Sequence, residues 1–329
     1  MRIVHLEETG NPADVLKVVR MPKPRPAAGE VLVKVIAAPV NPSDISFVRG
    51  QYGIRPELPS AAGFEGVGTV EEVGAEVRLP VGSRVSFTAI GSWGEYVIVN
   101  QKAAIPLPDA IPDEMAAQLF VNPFTAWAMV EESGVQKDEW LMITACGSAY
   151  GKLVIQLCQK KGIKTIGTVR RDDLNEDLKK LGLNEVVNTE TEDLPRRVRE
   201  ITNKQGVRCV LDSVGGDTTE AAMKCVGQGG KMLIFGLLSQ KNPRLDVGLM
   251  IFKEITIQGF WLTEWMRKVD AQTRAQTAQA VIGWLAAAAE TLHATSLLPV
   301  EASYDLDEIA KAVEHADAPG RWGKILVKP

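Results

Sequence analysis

The chain has 329 residues, of which 45% are hydrophobic and 24% charged, with a formal net charge of -4. That length allows two ordinary domains with a large core, and the weakly acidic balance gives no electrostatic reason to expect nucleic acid or an anionic membrane as partner. The longest apolar runs, 31–40 and 285–289, are too short or too interrupted to span a bilayer.

The first residues, MRIVHLEETG, alternate like a strand and do not resemble a charged leader with an apolar core, so cytoplasm is the expected location. Short alternating segments follow at 30–37, 66–73, 84–89 and 95–99. Turn signals such as Pro24-Arg25-Pro26, Ala28-Gly29 and Pro80-Val81-Gly82 separate them. The pattern predicts a compact antiparallel β domain over residues 1–118.

Beyond Val121 the style changes. Apolar strand-like runs at 140–145, 164–169, 185–188, 207–212, 231–235 and 255–260 alternate with helical segments. The last three show little polar alternation, as expected when both faces of a parallel sheet are covered. Alternation of this kind predicts a right-handed doubly wound α/β domain. After Trp261 come a long helical pattern (266–290), a strand (297–302), a short helix (306–314) and a closing strand (323–327). The simplest assembly returns 263–329 to the first domain, leaving 119–262 as an inserted nucleotide-binding domain.

Cys146, Cys158, Cys209 and Cys225 are widely spread with no Cys-x-x-Cys pair, which fits reduced, buried thiols better than a disulfide framework. His5, His293 and His315 are isolated from one another and from any cysteine. They read as surface or satisfied structural histidines, not as metal ligands.

After the run 140–145 comes Cys146-Gly147-Ser148-Ala149-Tyr150-Gly151, and then a helical segment, 152–161. A phosphate cradle needs small residues there, so that backbone N–H groups at a helix N-terminus can approach a pyrophosphate. Aligning Gly151 with the third glycine of G-x-G-x-x-G puts Ser148 at the second and Cys146 at the first; the alternative is a small-residue turn without ligand. About twenty residues further on, where an NAD enzyme places an acid for the ribose diol, stand Arg170-Arg171 and then Asp172-Asp173. A guanidinium at that point suits the 2′-phosphate of NADPH through charge-assisted hydrogen bonds. The competing reading is two solvated arginines with Asp172 capping the next helix.

The runs VNPSD (40–44), RGQYG (49–53), PELP (56–59), GFEGVG (63–68), GSWGEY (91–96), NPFTAW (122–127), DSVGG (212–216) and IFKEITIQGFWL (251–262) lie in one register. Together they resemble the 2-enoyl thioester reductases of the medium-chain dehydrogenases/reductases, with the zinc-free quinone oxidoreductases as near relatives. The resemblance covers nearly the whole chain. It implies an α/β architecture, a GroES-like β catalytic domain joined to a Rossmann domain with a doubly wound parallel sheet. Metal-using members carry a Cys just before an x-x-Asp and a His in Gly-His-Glu; here those slots hold Asn41 and Phe64. An amide and a phenyl ring cannot replace a thiolate and an imidazole around Zn²⁺, so metal-free chemistry is expected.

Carried over by position, the resemblance gives Tyr52 the catalytic role of serving the substrate carbonyl. Asn41 would add an amide donor near the nicotinamide ribose or substrate. Phe64, Trp93 and Trp261 would line the substrate pocket. Cofactor positions would be Asn122, Thr125, Gly147, Ser148, Ala149, Gly151, Arg170, Arg171, Ser213, Phe235, Gly236, Phe260, Trp261 and Lys324. Phe64 stands where the enoyl reductases carry Asn, and Tyr150 replaces a small or β-branched residue of the pyrophosphate turn. The implied activity is NADPH-dependent reduction of a trans-2-enoyl thioester carried by CoA or acyl carrier protein. Reduction of quinones or activated enones, and NADPH binding without catalysis, are the alternatives. Pairing of the edge strand 255–260 with its mate in a second subunit implies a homodimer.

Overall fold

Eight strands fill the first third of the computed structural model, which describes residues 1–290 and 297–329. They are β1 (Arg2–Leu6), β2 (Leu16–Arg20), β3 (Glu30–Pro39), β4 (Ser60–Ala61), β5 (Glu65–Val73), β6 (Arg84–Thr88), β7 (Tyr96–Asn100) and β8 (Ala104–Pro106). Contacts divide the chain into one unit of Met1–Val121 with Ile282–Pro329 and another of Asn122–Val281. The second boundary thus falls inside a helix, later than the expected return at residue 263.

Within the first unit β3 is the organising strand. It pairs antiparallel with β5, with β7 and with the closing strand Lys324–Lys328. Most of its side chains, including Val31, Leu32, Val33, Val35, Ala37 and Ala38, are consequently buried, which explains its nearly continuous apolar composition. The returning strands Val300–Asp305 and Lys324–Lys328 pair parallel to each other, a departure from an otherwise antiparallel domain. A smaller sheet runs in the order β2-β1-β4.

Trp93 is 0% exposed and its indole Nε1 donates to the Pro39 carbonyl at 3.1 Å. This corrects its expected place in a substrate pocket: with both ring faces packed and its one donor taken, it is a core residue. Gly63 shows how closely it is fitted. Its φ is +88°, and a Cβ there would meet Ser92 Oγ at 2.4 Å and Trp93 Cδ1 at 2.7 Å.

The second unit holds β9 (Trp140–Ile143), β10 (Lys164–Val169), β11 (Glu185–Asn188), β12 (Val207–Asp212), β13 (Val226–Ile234) and β14 (Thr256–Gly259). All are parallel, in the order β11-β10-β9-β12-β13-β14. The order reverses between β9 and β12, and in open α/β sheets ligands bind beyond the carboxyl ends of strands at such a switch point. Strand β9 stops short of the expected residue 145 because Ala145 turns to φ +49°. The expected helix 266–290 is two helices, Leu262–Lys268 and Ala271–Ala289. They break where Asp270 accepts the Thr273 N–H at 2.7 Å, a helix start imposed by a side-chain acceptor.

The four cysteines are free and buried, and burial pushes all four thiols up to about 12. His315 Nδ1 is 2.9 Å from the Tyr304 hydroxyl, a structural pairing; His293 lies outside the described residues. No described helix is long and apolar enough to cross a membrane. Gly63→Ala is expected to lower stability by about 2–3 kcal/mol through strain at positive φ and displacement of Trp93, read as a reduced urea midpoint.

Candidate active site

Helix Pro42–Val48 starts at Asn41, whose extended backbone and following proline favour a helix N-terminus at this point. The Asn41 N–H donates to Asp44 Oδ2 at 2.7 Å. Its side-chain Nδ2 donates to Glu65 Oε1 at 2.8 Å, while Glu65 Oε2 accepts the backbone N–H groups of Phe120 (3.0 Å) and Val121 (2.8 Å). Asn41, Asp44 and Glu65 are each 1% exposed, and Lys324 is 4% exposed. The expected role of Asn41 as a donor to substrate therefore meets a different geometry: its amide is turned inward to Glu65, and Oδ1 has no partner among the described residues.

Burial dominates the electrostatics of this cluster. It pushes the Asp44 carboxyl up to about 7, a rise that Glu65 reinforces and Lys324 opposes. It also raises Glu65, against the N–H donors of Val121 and Asn41 and the charge of Lys324. Burial lowers Lys324 to about 8, although Glu65 and Asp44 both favour its protonated form. Asp44 and Glu65 are not among the site residues expected from sequence, and Lys324 is expected there only as a cofactor position. The sequence carries a signal for them: acids inside the frames VNPSD and GFEGVG, and a lysine in the closing strand.

Over this cluster sits an aromatic group. The Phe64 ring meets Phe47 edge-on at 5.0 Å and lies 5.4 Å from Tyr52, tilted by 35°. Phe64 and Tyr52 are half-buried. Among the described residues no group of three or more His, Cys, Asp or Glu is arranged to hold a metal ion.

In the second unit, Ser148 caps helix Ala149–Lys161, its Oγ accepting the Gly151 N–H at 3.0 Å. A Cβ on Gly151 would lie 2.4 Å from the Cys146 carbonyl oxygen, so only glycine lets the helix approach the turn this closely. Gly147, Ser148 and Ala149 remain partly accessible. This fits a pyrophosphate on the helix N-terminus. At the end of the adjoining strand β12, Thr144 Oγ1 donates to Asp212 Oδ1 at 2.7 Å and accepts the Ser213 N–H at 3.0 Å. That network fixes Ser213. A Cβ on Gly236 would approach the Ser213 carbonyl at 2.9 Å, holding the end of β13 against it.

Tyr150 does not crowd the turn. It is buried, its hydroxyl donates to Met129 Sδ at 3.1 Å, and its ring lies 4.3 Å from Phe235. Desolvation holds that phenol well above its ordinary value, so it stays protonated. Lys152, fully buried one residue after the glycine, was not singled out from sequence. Asn122 and Thr125 lie on the first turns of helix Val121–Ser133. Phe260 is buried and Trp261 half-buried before helix Leu262–Lys268. Arg170 and Arg171 are exposed past the end of β10. Asp172 caps no helix: its Oδ1 accepts the side-chain amides of Asn175 (3.1 Å) and Asn188 (3.0 Å).

Comparison with known proteins agrees with both units. Residues 27–109 match the alcohol dehydrogenase GroES-like domain, and 149–282 match the zinc-binding dehydrogenase family. The mitochondrial enoyl-[acyl-carrier-protein] reductase of Xenopus tropicalis is 30% identical over 328 residues, 95% of this chain and 91% of that protein. The chain belongs to the medium-chain dehydrogenases/reductases. It is accordingly an oxidoreductase. A Bacillus thuringiensis protein provisionally assigned as an NADPH:quinone reductase superposes with a TM-score of 0.92 at 32% identity, covering 100% of this chain and 98% of that one. The Escherichia coli quinone oxidoreductase solved with NADPH gives 0.89 at 27% identity, with 100% of both chains covered. The family name notwithstanding, the residues in the two zinc-ligand slots here are Asn41 and Phe64.

The buried acid sets a pH dependence. Because Asp44 holds its proton in the folded state up to about 7, the unfolded chain ionises first as pH rises from near 4. The native state then binds the extra proton, and Asp44 makes stability fall over that window. Asp44→Asn is expected to gain stability relative to the parent between pH 5 and 7.5, seen as a widening difference in urea midpoint.

Proposed function

We propose that the chain reduces trans-2-enoyl thioesters with NADPH, and that Tyr52 donates the hydrogen bond that steadies the carbonyl oxygen. The half-buried Tyr52 ring, packed against Phe64 in a vacated ligand slot, is the observation that carries this reading. NADPH bound at the Ser148 turn would supply hydride to the substrate Cβ. Charge then moves onto the thioester oxygen, and without a Lewis acid a fixed O–H donor must stabilise it. Asn41 acts one step back. Through Glu65 it secures the helix start and the segment 63–65 that places Phe64 under the phenol. Arg170 is the group for the 2′-phosphate, since among the described residues it has no ion-pair partner, whereas Arg171 pairs with Asp173 at 3.3 Å.

A second reading, reduction of quinones or other activated enones, is favoured by the names of the solved relatives. It needs only an apolar slot and no phenol. Crotonyl-CoA, a crotonyl carrier protein and a soluble naphthoquinone assayed side by side separate the possibilities. Tyr52→Phe is expected to lower kcat for the thioesters by roughly 10²–10³-fold, the usual cost of losing an oxyanion donor, with little effect on stability. Equal thioester turnover by Tyr52→Phe sinks the mechanism. Turnover of the quinone alone by the parent protein selects the second reading. Relatives named mitochondrial stand against the cytoplasmic expectation, and cell fractionation decides between the two.

We also propose a homodimer through β14. Among the described residues this terminal strand pairs only with β13, and the preceding helix Val247–Lys253 presents Val247, Ile251 and Phe252, the last 81% exposed. An open edge beside exposed apolar side chains is the kind of surface that a second copy covers. Phe252→Asp is expected to halve the mass measured by light scattering, whereas a parent protein that is already monomeric removes the proposal.

A further inference from the structure

We propose that Asn188 is a positioning residue for cofactor selectivity, because it holds the Asp172 carboxylate away from Arg170 and so leaves that guanidinium for a 2′-phosphate. The inference rests on the assignment of Arg170 to NADPH made above.

The loop after β10 reads Arg170-Arg171-Asp172-Asp173, two cations followed directly by two anions. Left to itself, such a loop pairs its own charges, and half of it does: Arg171 Nε is 3.3 Å from Asp173 Oδ1. An Arg170 neutralised in the same way would meet an incoming phosphate with a competing carboxylate already in place. It would also leave an anion beside the ribose, the arrangement that favours a free 2′-hydroxyl over a 2′-phosphate.

Asp172 is kept out of that pairing by two amides. Its Oδ1 accepts Asn188 Nδ2 at 3.0 Å and Asn175 Nδ2 at 3.1 Å. Asn188 is the firmer of the two. It is 5% exposed and ends β11, in parallel register with Val169, the residue immediately before Arg170. Its remaining groups are engaged too: its Oδ1 accepts the Glu190 N–H at 3.0 Å, and its own N–H donates to Glu192 Oε1 at 2.9 Å. The side chain therefore has one orientation in which its oxygen caps the next turn and its NH₂ faces Asp172. Charge-assisted donation of this kind is stronger than a neutral hydrogen bond, and it satisfies the acid without using either arginine.

The test is fluorescence titration of the full-length protein with NADPH and NADH at fixed ionic strength. Asn188→Ala is expected to raise the NADPH Kd by about tenfold, equivalent to ~1.4 kcal/mol, while leaving the NADH Kd within about twofold. Adding Asp172→Ala in that background is expected to restore NADPH binding, because the released carboxylate is then gone. Equal weakening of both cofactors, no change, or no restoration by the second substitution each overturns the proposal. Arg170→Ala, measured in parallel, separates the layers. If it weakens NADPH selectively while Asn188→Ala does not, only the clamp fails. If it leaves NADPH unaffected, the phosphate assignment fails and the clamp with it.

Discussion

The first unit depends on a carboxylate kept out of water. Glu65 accepts three N–H donors, one from the Asn41 side chain and two from the backbone at Phe120 and Val121. These contacts join the start of β5, the N-terminus of helix Pro42–Val48 and the segment where the chain leaves for the second unit. A buried carboxylate costs several kcal/mol unless it is hydrogen-bonded and balanced by charge; the donors and the nearby Lys324 ammonium meet both conditions. Removing the Asn41 amide or the Lys324 ammonium would leave the Glu65 charge poorly compensated. The cluster is thus a rigid floor, and the aromatic group of Phe47, Phe64 and Tyr52 rests on it.

This arrangement explains why loss of metal ligands need not unravel the region. In metal-using relatives, as the resemblance implies, a dication is bound at this place. Here the amide of Asn41 joins the backbone donors on Glu65, and a lysine from the closing strand supplies positive charge. The phenyl ring of Phe64 stands in the imidazole's place in the sequence and packs against Phe47 and Tyr52. Order comes from hydrogen bonds and aromatic contact.

Much of the architecture was legible because period and burial agree. Lys164–Val169, Glu185–Asn188 and Val207–Asp212 appear with the bounds read from sequence, since short segments rich in β-branched residues alternate there with helical patterns. Boundaries set by a single residue were less visible. The turn of Ala145 to positive φ shortens β9, and the cap at Asp270 splits a helix whose periodicity runs straight through it. Side-chain direction was hardest. Position alone could not tell that Trp93 packs inward, that the Asn41 amide faces Glu65, or that Tyr150 turns from the phosphate turn toward Met129. Each depends on a partner between 21 and 54 residues away in the chain.

The cysteines divide unevenly: all four lie between residues 146 and 225, within the second unit, and the first has none. A thiol held near 12 and sealed from solvent is almost never a thiolate at neutral pH, and the thiolate is the form that attacks electrophiles. Alkylation of the native protein therefore clocks how often the nucleotide-binding half opens, and it stays silent about the other half. One chemical label can follow the breathing of a single unit in a chain built from two.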